Sequence, residues 1–276
     1  MRNEELGIGN EVLRIIVCIK QVPDTNEVKL DPVMGVLQRD GVPSIINPDD
    51  LCGIEAALEL KDRYGCHVTV ITMGPPQADV ALREALAMGC DAAYLVSDRL
   101  FGGADTWATS KTLAGAAKML GFDLIITGRQ AIDGDTAQVG PQIAEHLNIP
   151  QVSYAQDIEK VPDEAALIVQ RYYEDRYQRI KIKFPALVTA LSTLNTPRYM
   201  SVGGIVAAYD DIEVKVLKYE DIKDFVEEKD IGLKGSPTRV KKSFTKSAKG
   251  QGIIHDVPED EAVDIIINKL KEHYVL

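Results

Sequence analysis

The chain has 276 residues, of which 45% are hydrophobic and 26% are charged, a globular composition that suffices for one large domain or for a domain plus an extension. The formal net charge of -11 at pH 7 argues against nucleic acid as a partner, because an acidic surface repels phosphates. No apolar run approaches the roughly 20 residues that span a bilayer, and the polar N-terminus lacks a signal-peptide pattern. We therefore expect a cytoplasmic protein without membrane insertion.

The cysteines and histidines are scattered along the chain and predict neither a metal site nor a redox pair. They are Cys18, Cys52, Cys66, Cys90, His67, His146, His255 and His273. In a cytoplasmic protein we expect the four thiols to be reduced.

The first half of the chain alternates between short apolar runs and amphipathic segments. The apolar runs, which we predict to be strands, are Arg14–Lys20, His67–Thr72, Ala92–Val96 and Asp123–Thr127. The segments with helical spacing are Asp49–Tyr64, Asp79–Met88, Asp105–Leu120 and Thr136–Leu147. Strands that are apolar throughout and separated by such helices predict an α/β fold with a doubly wound, mostly parallel sheet covered on both faces.

The pattern changes in the second half. Leu167–Lys183 predicts a β-hairpin that turns near Glu174, and Ala186–Leu191 predicts a further buried strand. Beyond Pro197 the alternation is lost. We therefore place a nucleotide-binding domain in residues 1–200 and an extended C-terminal arm in residues 201–276.

The arm combines a basic stretch with a terminal helix. Residues 231–255 contain no acid and six bases, which are Lys234, Arg239, Lys241, Lys242, Lys246 and Lys249. In so acidic a chain, this stretch indicates a contact with another surface, although a solvated linker has the same composition. Pro258–Tyr274 predicts an amphipathic helix with an acidic first turn, which needs a surface on which to dock.

Three segments are expected to meet at the carboxyl edge of the sheet, where open parallel sheets bind ligands. They are Asn47–Asp50 at a helix start, the glycine-rich Phe101–Thr106, and Gly128–Gly140. In the last of these, Gly128 ends a strand, and Gly134 is expected to turn the chain at positive φ. Free N–H groups of the following helix and the Thr136 hydroxyl suit an anion, and a tight turn with a capping aspartate is the alternative.

Two carboxylates beside a phosphate would repel it, so Asp133 and Asp135 are expected to point away or to bind ribose hydroxyls. The common fingerprints are missing: Gly7-x-Gly9 precedes the first strand, and neither GxxxxGK[ST] nor GxSxG occurs. We identify no catalytic side chain. Any chemistry is therefore expected to belong to a cofactor.

Four blocks of the sequence resemble the electron-transfer flavoprotein beta subunit. They are Val17–Thr25, Val70–Ala78, Leu82–Asp91 and Gly128–Leu147, in the family's order, and the resemblance covers nearly the whole chain from Arg14. It implies a Rossmann-like domain with a nucleotide site, in a heterodimer with an alpha subunit that carries one FAD.

The family has two branches that differ in the ligand of the beta subunit. In the ordinary branch the site holds structural AMP, and the protein is a single-FAD electron shuttle. In the electron-bifurcating branch it holds a second FAD that takes hydride from NADH. One electron then goes to ferredoxin or flavodoxin, and the other goes through the alpha FAD to a dehydrogenase of the acyl-CoA or 2-hydroxy-acid type. Gly134, Gly102 and Gly103 leave room for the longer ligand and favour FAD, with AMP as the alternative.

The resemblance assigns site residues by position. The nucleotide site comprises Cys18, Asn47, Pro48, Asp49, Asp50, Met73, Gly102, Gly103, Ala104, Asp105, Thr106, Thr109, Gly128, Arg129, Gln130, Ala131, Ile132, Asp133, Gly134, Asp135, Thr136, Ala137, Gln138 and Val139. Cys18 and Met73 also fit a role as core residues. A recognition loop at residues 191–200, read by the partner dehydrogenase, comprises Leu194, Pro197, Arg198 and Tyr199. Leu194 is its expected anchor, and a leucine that closes the core at a strand end is the alternative.

Two readings from other classes compete with an electron-transfer subunit. A plain nucleotide-binding module, like the universal stress proteins, would end with the sheet, and the hairpin, arm and terminal helix speak against it. A lone NAD-dependent dehydrogenase would need the glycine fingerprint and a catalytic acid or base, which this sequence lacks.

Overall fold

The computed structural model describes residues 12–24, 43–239 and 252–276. Its strands are β1 (Arg14–Cys18), β2 (Gln21–Pro23), β3 (Ser44–Ile46), β4 (His67–Met73), β5 (Ala92–Val96), β6 (Leu124–Gly128), β7 (Gln151–Lys160), β8 (Ala166–Tyr173), β9 (Arg176–Lys183), β10 (Ala186–Ala190) and β11 (Val214–Leu217). Its helices are α1 (Pro48–Tyr64), α2 (Asp79–Met88), α3 (Thr106–Leu120), α4 (Val139–Leu147), α5 (Val202–Asp210), α6 (Tyr219–Ile222), α7 (Gly232–Gly235) and α8 (Glu259–Glu272). Much of the predicted basic stretch, including Lys241, Lys242, Lys246 and Lys249, lies outside the described residues.

The main sheet has the strand order β11-β5-β4-β1-β6-β10-β7-β8-β9. Neighbouring strands from β11 to β7 are parallel, and β8 and β9 add an antiparallel extension at one edge. The α/β prediction with a mostly parallel sheet is confirmed. The predicted hairpin is confirmed as β8 and β9, and β7 is a further strand that the sequence pattern did not identify.

The side chains of β1 show why its apolar run is continuous. Ile15 and Val17 pack with the buried residues of α1 and α2, whereas Ile16 and Cys18 pack with those of α3 and α4. Successive residues of a strand point to opposite faces, so a strand covered on both sides needs apolar residues at every position. β1 therefore lies at the centre of the core.

The chain beyond Met200 contributes to the same sheet. β11 pairs in parallel with β5, and α5 packs against α2. Phe101, Val226 and Ile231 belong to a third apolar cluster, which joins the segment after β11 to the outer side of α3. The sequence did not predict these elements, because β11 has only four residues and is partly exposed.

The terminal helix is confirmed as α8, although it buries none of its residues against the described part of the chain. Val263 and Ile266 on its apolar face remain exposed. None of the helices within residues 12–24, 43–239 and 252–276 combines the length and apolar character needed to cross a membrane.

Candidate functional site

A cleft of about 1260 Å³ opens at the carboxyl ends of β1, β4, β5 and β6. Most of the predicted site residues line it. The exceptions are Asn47, Pro48, Asp49, Ile132 and Asp133, which are absent from its lining. The lining also includes residues that sequence reasoning missed, among them Lys20, Asp98, Arg99, Lys218 and Thr238.

The floor of the cleft is held by Asp50, in the first turn of α1. Its Oδ1 accepts the Gly128 N–H at 2.9 Å, and its Oδ2 accepts the Lys20 N–H at 2.8 Å. The carboxylate thus ties the ends of β6 and β1 to the start of α1. Burial raises the pKa of Asp50 to about 7, even though these hydrogen bonds favour the ionised form.

Gly128 is required by this close approach. A Cβ at Gly128 would lie 2.1 Å from Asp50 Oδ1 and 2.9 Å from Asp49 Cβ. Glycine is therefore needed at the end of β6 because α1 begins directly against the strand end.

Asn47 holds the loop that follows β6. It precedes α1 without capping the helix through its side chain. Its Nδ2 instead donates to the Gln130 carbonyl at 2.8 Å, and its Oδ1 accepts the Ile132 N–H at 3.0 Å. Asn47 is fully buried, so these bonds satisfy a side chain that has no access to water. Asn47 thus holds the loop that lines the cleft without lining the cleft itself.

The two aspartates of this loop lie in different positions. Asp133 forms an ion pair with Lys20, with Nζ to Oδ1 at 2.6 Å, and its side chain is almost fully buried. It is therefore turned away from the cleft, as the repulsion argument expects. Asp135 lines the cleft, where its carboxylate accepts a hydrogen bond from the Gln130 side chain.

The backbone of the loop corrects two predictions. Positive φ occurs at Asp135 (55°) and Ala137 (53°), and Gly134 is not in the left-handed region. The predicted turn at Gly134 is therefore wrong. The helix predicted from Thr136 begins only at Val139, because the left-handed Ala137 cannot continue a helix.

The start of α4 offers hydrogen-bond donors at the cleft. Gln138 precedes the helix and, within the described chain, makes no capping bond through its side chain. The first-turn N–H groups of Val139 and Gly140 have no partner inside the helix, and Pro141 has no N–H. Both Val139 and Gly140 line the cleft, so this helix start suits an anionic group.

Arg129 adds a positive charge beside the floor. Its Nε lies 3.3 Å from Asp49 Oδ2, close enough for an ion pair. The two atoms are not aligned as a hydrogen bond, and both are buried without a hydrogen-bond partner among the described residues. Arg129 lines the cleft and is a candidate contact for a negatively charged ligand.

The opposite wall of the cleft is residues 98–106, which we call the wall loop. It contains Gly102 and Gly103, and Gly103 has a φ of 72°, in the region that favours glycine. Thr106, at the start of α3, hydrogen-bonds to the Gln138 side chain across the cleft at 3.1 Å. The wall loop and the loop after β6 therefore meet over one opening.

The predicted recognition loop, residues 191–200, lies outside the cleft and is fastened to α1. Asp49 Oδ1 accepts the Ser192 N–H at 3.0 Å. The Arg198 guanidinium binds Glu55, with Nε to Oε2 at 2.8 Å, and Asp62, with the terminal nitrogen to Oδ2 at 2.8 Å. Bonding to Glu55 raises the pKa of Arg198 above its usual value. Arg198 is thus occupied within the chain.

The apolar residues of this loop differ in exposure. Leu194 is half-buried and packs against the main core, whereas Tyr199 is 98% exposed. Val202 and Val206, in the following helix α5, are also exposed. The side chains that a partner could reach are therefore concentrated from Tyr199 onward, with Leu194 at the edge of the core.

Comparisons with known proteins place similar sequences in one family. A family model described as the electron transfer flavoprotein domain matches residues 34–216. The chain is 58% identical over 264 residues to the electron transfer flavoprotein subunit beta of Clostridium acetobutylicum, covering 95% of this chain and 100% of the relative.

Two further relatives have names that mention reductases. The caffeyl-CoA reductase-Etf complex subunit CarD of Acetobacterium woodii is 54% identical over 267 residues, covering 96% of this chain and 100% of the relative. The acryloyl-CoA reductase electron transfer subunit gamma of Anaerotignum propionicum is 48% identical over 271 residues, again covering 96% and 100%.

Proposed function

The chain belongs to the electron transfer flavoprotein family as a beta subunit, and we propose that it is of the bifurcating type, with FAD in its cleft. Such subunits pair with an alpha subunit, and relatives of this chain are named as parts of reductase complexes. The chemistry that an FAD held in this cleft would supply is uptake of hydride from NADH and transfer of one electron to ferredoxin or flavodoxin and the other, through the alpha-subunit FAD, to a partner dehydrogenase. The names of the relatives favour an acyl-CoA type of dehydrogenase over a 2-hydroxy-acid type.

The size of the cleft is the observation that carries the proposal of FAD over AMP. Its volume of about 1260 Å³ exceeds the range of about 300–1000 Å³ that is usual for sites of drug-sized ligands. It extends from the floor at Gly128 to the wall loop. A Cβ at Gly103 would lie against Leu233 and one at Gly102 against the Arg99 carbonyl, so these two glycines do not themselves add space to the cleft. The longer ligand, FAD, can use more of this open cleft than a mononucleotide can, and the volume therefore favours FAD.

The residues fit the phosphates of such a ligand. The N–H groups of Val139 and Gly140, the Thr136 hydroxyl and the Arg129 guanidinium are the donors that we assign to them. A helix start stabilises a negative charge by about 0.3–1 kcal/mol before hydrogen bonds are counted. Asp50, a buried carboxylate in the lining of the cleft, is engaged by two N–H groups, so its oxygens are turned toward the strand ends.

The side chains of the cleft bind and orient the ligand in this proposal. Asn47 and the Lys20–Asp133 ion pair fix the loop that carries Arg129, and Cys18 and Met73 form part of the apolar base. We assign no catalytic role to any of them.

The partner surfaces are also part of the proposal. Residues 191–200 are the surface that the dehydrogenase reads, with Leu194 as the anchor and Tyr199 as a flanking contact. Within the arm of residues 201–276, the exposed face of α8 docks on the alpha subunit. Val263→Asp with Ile266→Asp should then abolish co-purification of the alpha subunit, and Glu261→Gln on the polar face should not. A heterodimer that survives the double substitution contradicts this docking.

The nucleotide content of the purified heterodimer tests the cofactor proposal. Two FAD per heterodimer, released and separated by chromatography, is the expected result, with flavin reduction on addition of NADH. One FAD with one AMP would replace the proposal with the single-FAD electron shuttle.

A matched pair of variants tests whether the loop after β6 faces the phosphates. A Cβ at Gly134 meets no described atom within 4 Å, so substitution there acts through the new side chain and leaves the packing intact. Gly134→Asp adds a carboxylate and should lower the flavin content, whereas Gly134→Asn, of the same size, should retain it. Equal flavin content in the two variants would place the phosphates elsewhere.

A further inference from the structure

Two aspartates stand at the two ends of the wall loop. Asp98 precedes the 3-10 turn Arg99–Phe101, and its Oδ1 accepts the Leu100 N–H at 3.0 Å. Asp105 precedes α3, and its Oδ1 accepts the Ala108 N–H at 3.0 Å. Each carboxylate therefore uses one oxygen to cap its own turn of helix.

The second oxygen of each aspartate binds the chain after β11. We call residues 214–238 the C-terminal flank. Asp98 Oδ2 accepts the Tyr219 N–H at 3.1 Å, and Asp105 Oδ2 accepts the Thr238 N–H at 2.9 Å and its hydroxyl at 2.7 Å. The Asp105 N–H also donates to Ser236 Oγ at 2.8 Å. Both ends of the wall loop are thus bonded to residues more than a hundred positions away.

The middle of the wall loop is supported by the same flank. The Leu233 N–H donates to the Gly102 carbonyl at 2.9 Å. A Cβ at Gly103 would lie 3.1 Å from Leu233 Cβ, so the two segments are in close contact. One side of the wall loop faces the cleft and the other contacts the C-terminal flank, which itself reaches the cleft through Lys218 and Thr238. A shift of the flank would therefore change the wall of the cleft.

We propose that Asp98 and Asp105 are positioning residues that couple ligand binding in the cleft to the placement of the C-terminal flank. This coupling rests on the proposed function, because it requires that the cleft binds a nucleotide. Because such coupling is reciprocal, nucleotide orders the flank, and an ordered flank tightens nucleotide binding. Asp105, which the sequence resemblance assigned to cofactor binding, acts here by holding the wall.

The direction in which Asp105→Asn changes the affinity for nucleotide separates this role from a purely electrostatic one. Asp105→Asn removes a negative charge near an anionic ligand, so charge alone predicts tighter binding. The substitution also removes one of two acceptor oxygens. The carboxylate uses one oxygen for the Ala108 N–H and the other for Thr238, and asparagine has only one. The proposal predicts weaker binding, with a dissociation constant at least fivefold higher, at the lower end of typical coupling factors of about 5–150-fold.

The test uses the heterodimer, freed of nucleotide and titrated with FAD and, separately, with AMP. Asp105→Asn and Asp98→Asn are compared with Asp79→Asn, which neutralises the first residue of α2, an ion-pair partner of Arg83 outside the cleft lining. We expect Asp79→Asn to bind like the wild type. Equal or tighter binding by both Asp98→Asn and Asp105→Asn overturns the proposal.

Amide hydrogen exchange supplies the second measurement. Added FAD should slow exchange of residues 232–238 in the wild type, and Asp105→Asn should remove most of that protection. Exchange in this segment that is insensitive to FAD in the wild type, although FAD binds, also overturns the coupling. Failure of the wild type to bind either nucleotide would instead overturn the proposed function, so the two failures are distinguishable.

Discussion

The floor of the cleft and the loop of residues 191–200 are both bonded to acidic side chains of α1. The two regions differ in which of their atoms donate these hydrogen bonds. In the floor, Asp50 accepts two backbone N–H groups from strand ends. In the loop, Asp49 accepts the backbone N–H of Ser192, and Glu55 accepts both the backbone N–H and the guanidinium of Arg198. The floor is thus fixed through backbone atoms, whereas the loop depends in part on a long side chain at the surface.

This difference separates a buried region, the floor, from the partly exposed loop that we propose as a contact for the partner dehydrogenase. The floor residues Asn47 and Asp50 are buried, and a shift of either leaves polar groups without partners. Tyr199 is almost fully exposed beside the Arg198 fastening. Substitutions in the floor should therefore damage the fold itself, and substitutions in the loop should chiefly damage recognition.

The largest effect is expected from Gly128→Ala. The new Cβ would meet Asp50 Oδ1 at 2.1 Å, which forces α1 away from the strand ends. Overpacking of a core costs about 1–3 kcal/mol and occasionally more, and we expect a loss of at least about 3 kcal/mol, measured by denaturant unfolding. Gly134→Ala is the matched control and should leave the unfolding midpoint unchanged or raise it. A Gly128→Ala protein with the unfolding free energy of the wild type would contradict the close packing of Gly128 against Asp50.

Asp50→Asn should have the next largest effect. The asparagine has one acceptor oxygen, so one buried N–H loses its partner at a cost of about 1–3 kcal/mol. The pH dependence gives a second readout. The carboxyl ionises near 3.8 when unfolded and near 7 in the fold, so its contribution to stability is fully present below about pH 4 and declines as pH rises to about 7.

The variant lacks this titration. The difference in unfolding free energy between wild type and Asp50→Asn should therefore shrink between about pH 4 and pH 7 and stay constant above it. A difference that grows with pH over this interval would mean that the pKa of Asp50 is not raised in the fold.

Arg198→Ala is expected to be milder. It leaves Glu55 buried without its cation, but Arg198 itself is partly exposed, so we expect a loss of about 1–2 kcal/mol of stability, within the usual range for single substitutions. Nucleotide content should be unchanged, since the floor does not depend on this bond. Loss of flavin in Arg198→Ala would show that the two regions are not independent.

The smallest effect on the fold is expected from Leu194→Ala, and its main effect should be on the partner. Truncation of a buried interface anchor typically costs more than about 1 kcal/mol of binding free energy. A loss of about 1.4 kcal/mol lowers the affinity roughly tenfold. Kinetic assays of electron delivery to the dehydrogenase, at constant flavin content, measure this effect. Normal delivery combined with a lowered melting temperature would assign Leu194 to the core.

The local sequence predicted the parts of the site that depend on residue type. Some site residues are recognisable because the backbone requires their type. They are Gly128, where α1 packs against the strand end, the Asn47–Asp50 helix start, and the glycines of the wall loop. Lys20, Lys218 and Thr238 were missed, since each reaches the cleft through the tertiary fold and none belongs to a local motif. The left-handed Ala137 was missed because alanine carries no signal for that conformation, and glycine at 134 offered a misleading one.

The bond between Asp105 and Thr238 has a consequence for the order of events during synthesis. The two residues are 133 positions apart, so α3 and the wall loop leave the ribosome well before the residue that fixes them. At about 5–20 residues per second, the interval is roughly 7–27 s. During that time the strands of the floor can pair, but the nascent chain has no complete wall with which to retain a nucleotide. For the nucleotide that we propose in the cleft, loading is therefore expected to be a late event, close to release of the finished chain.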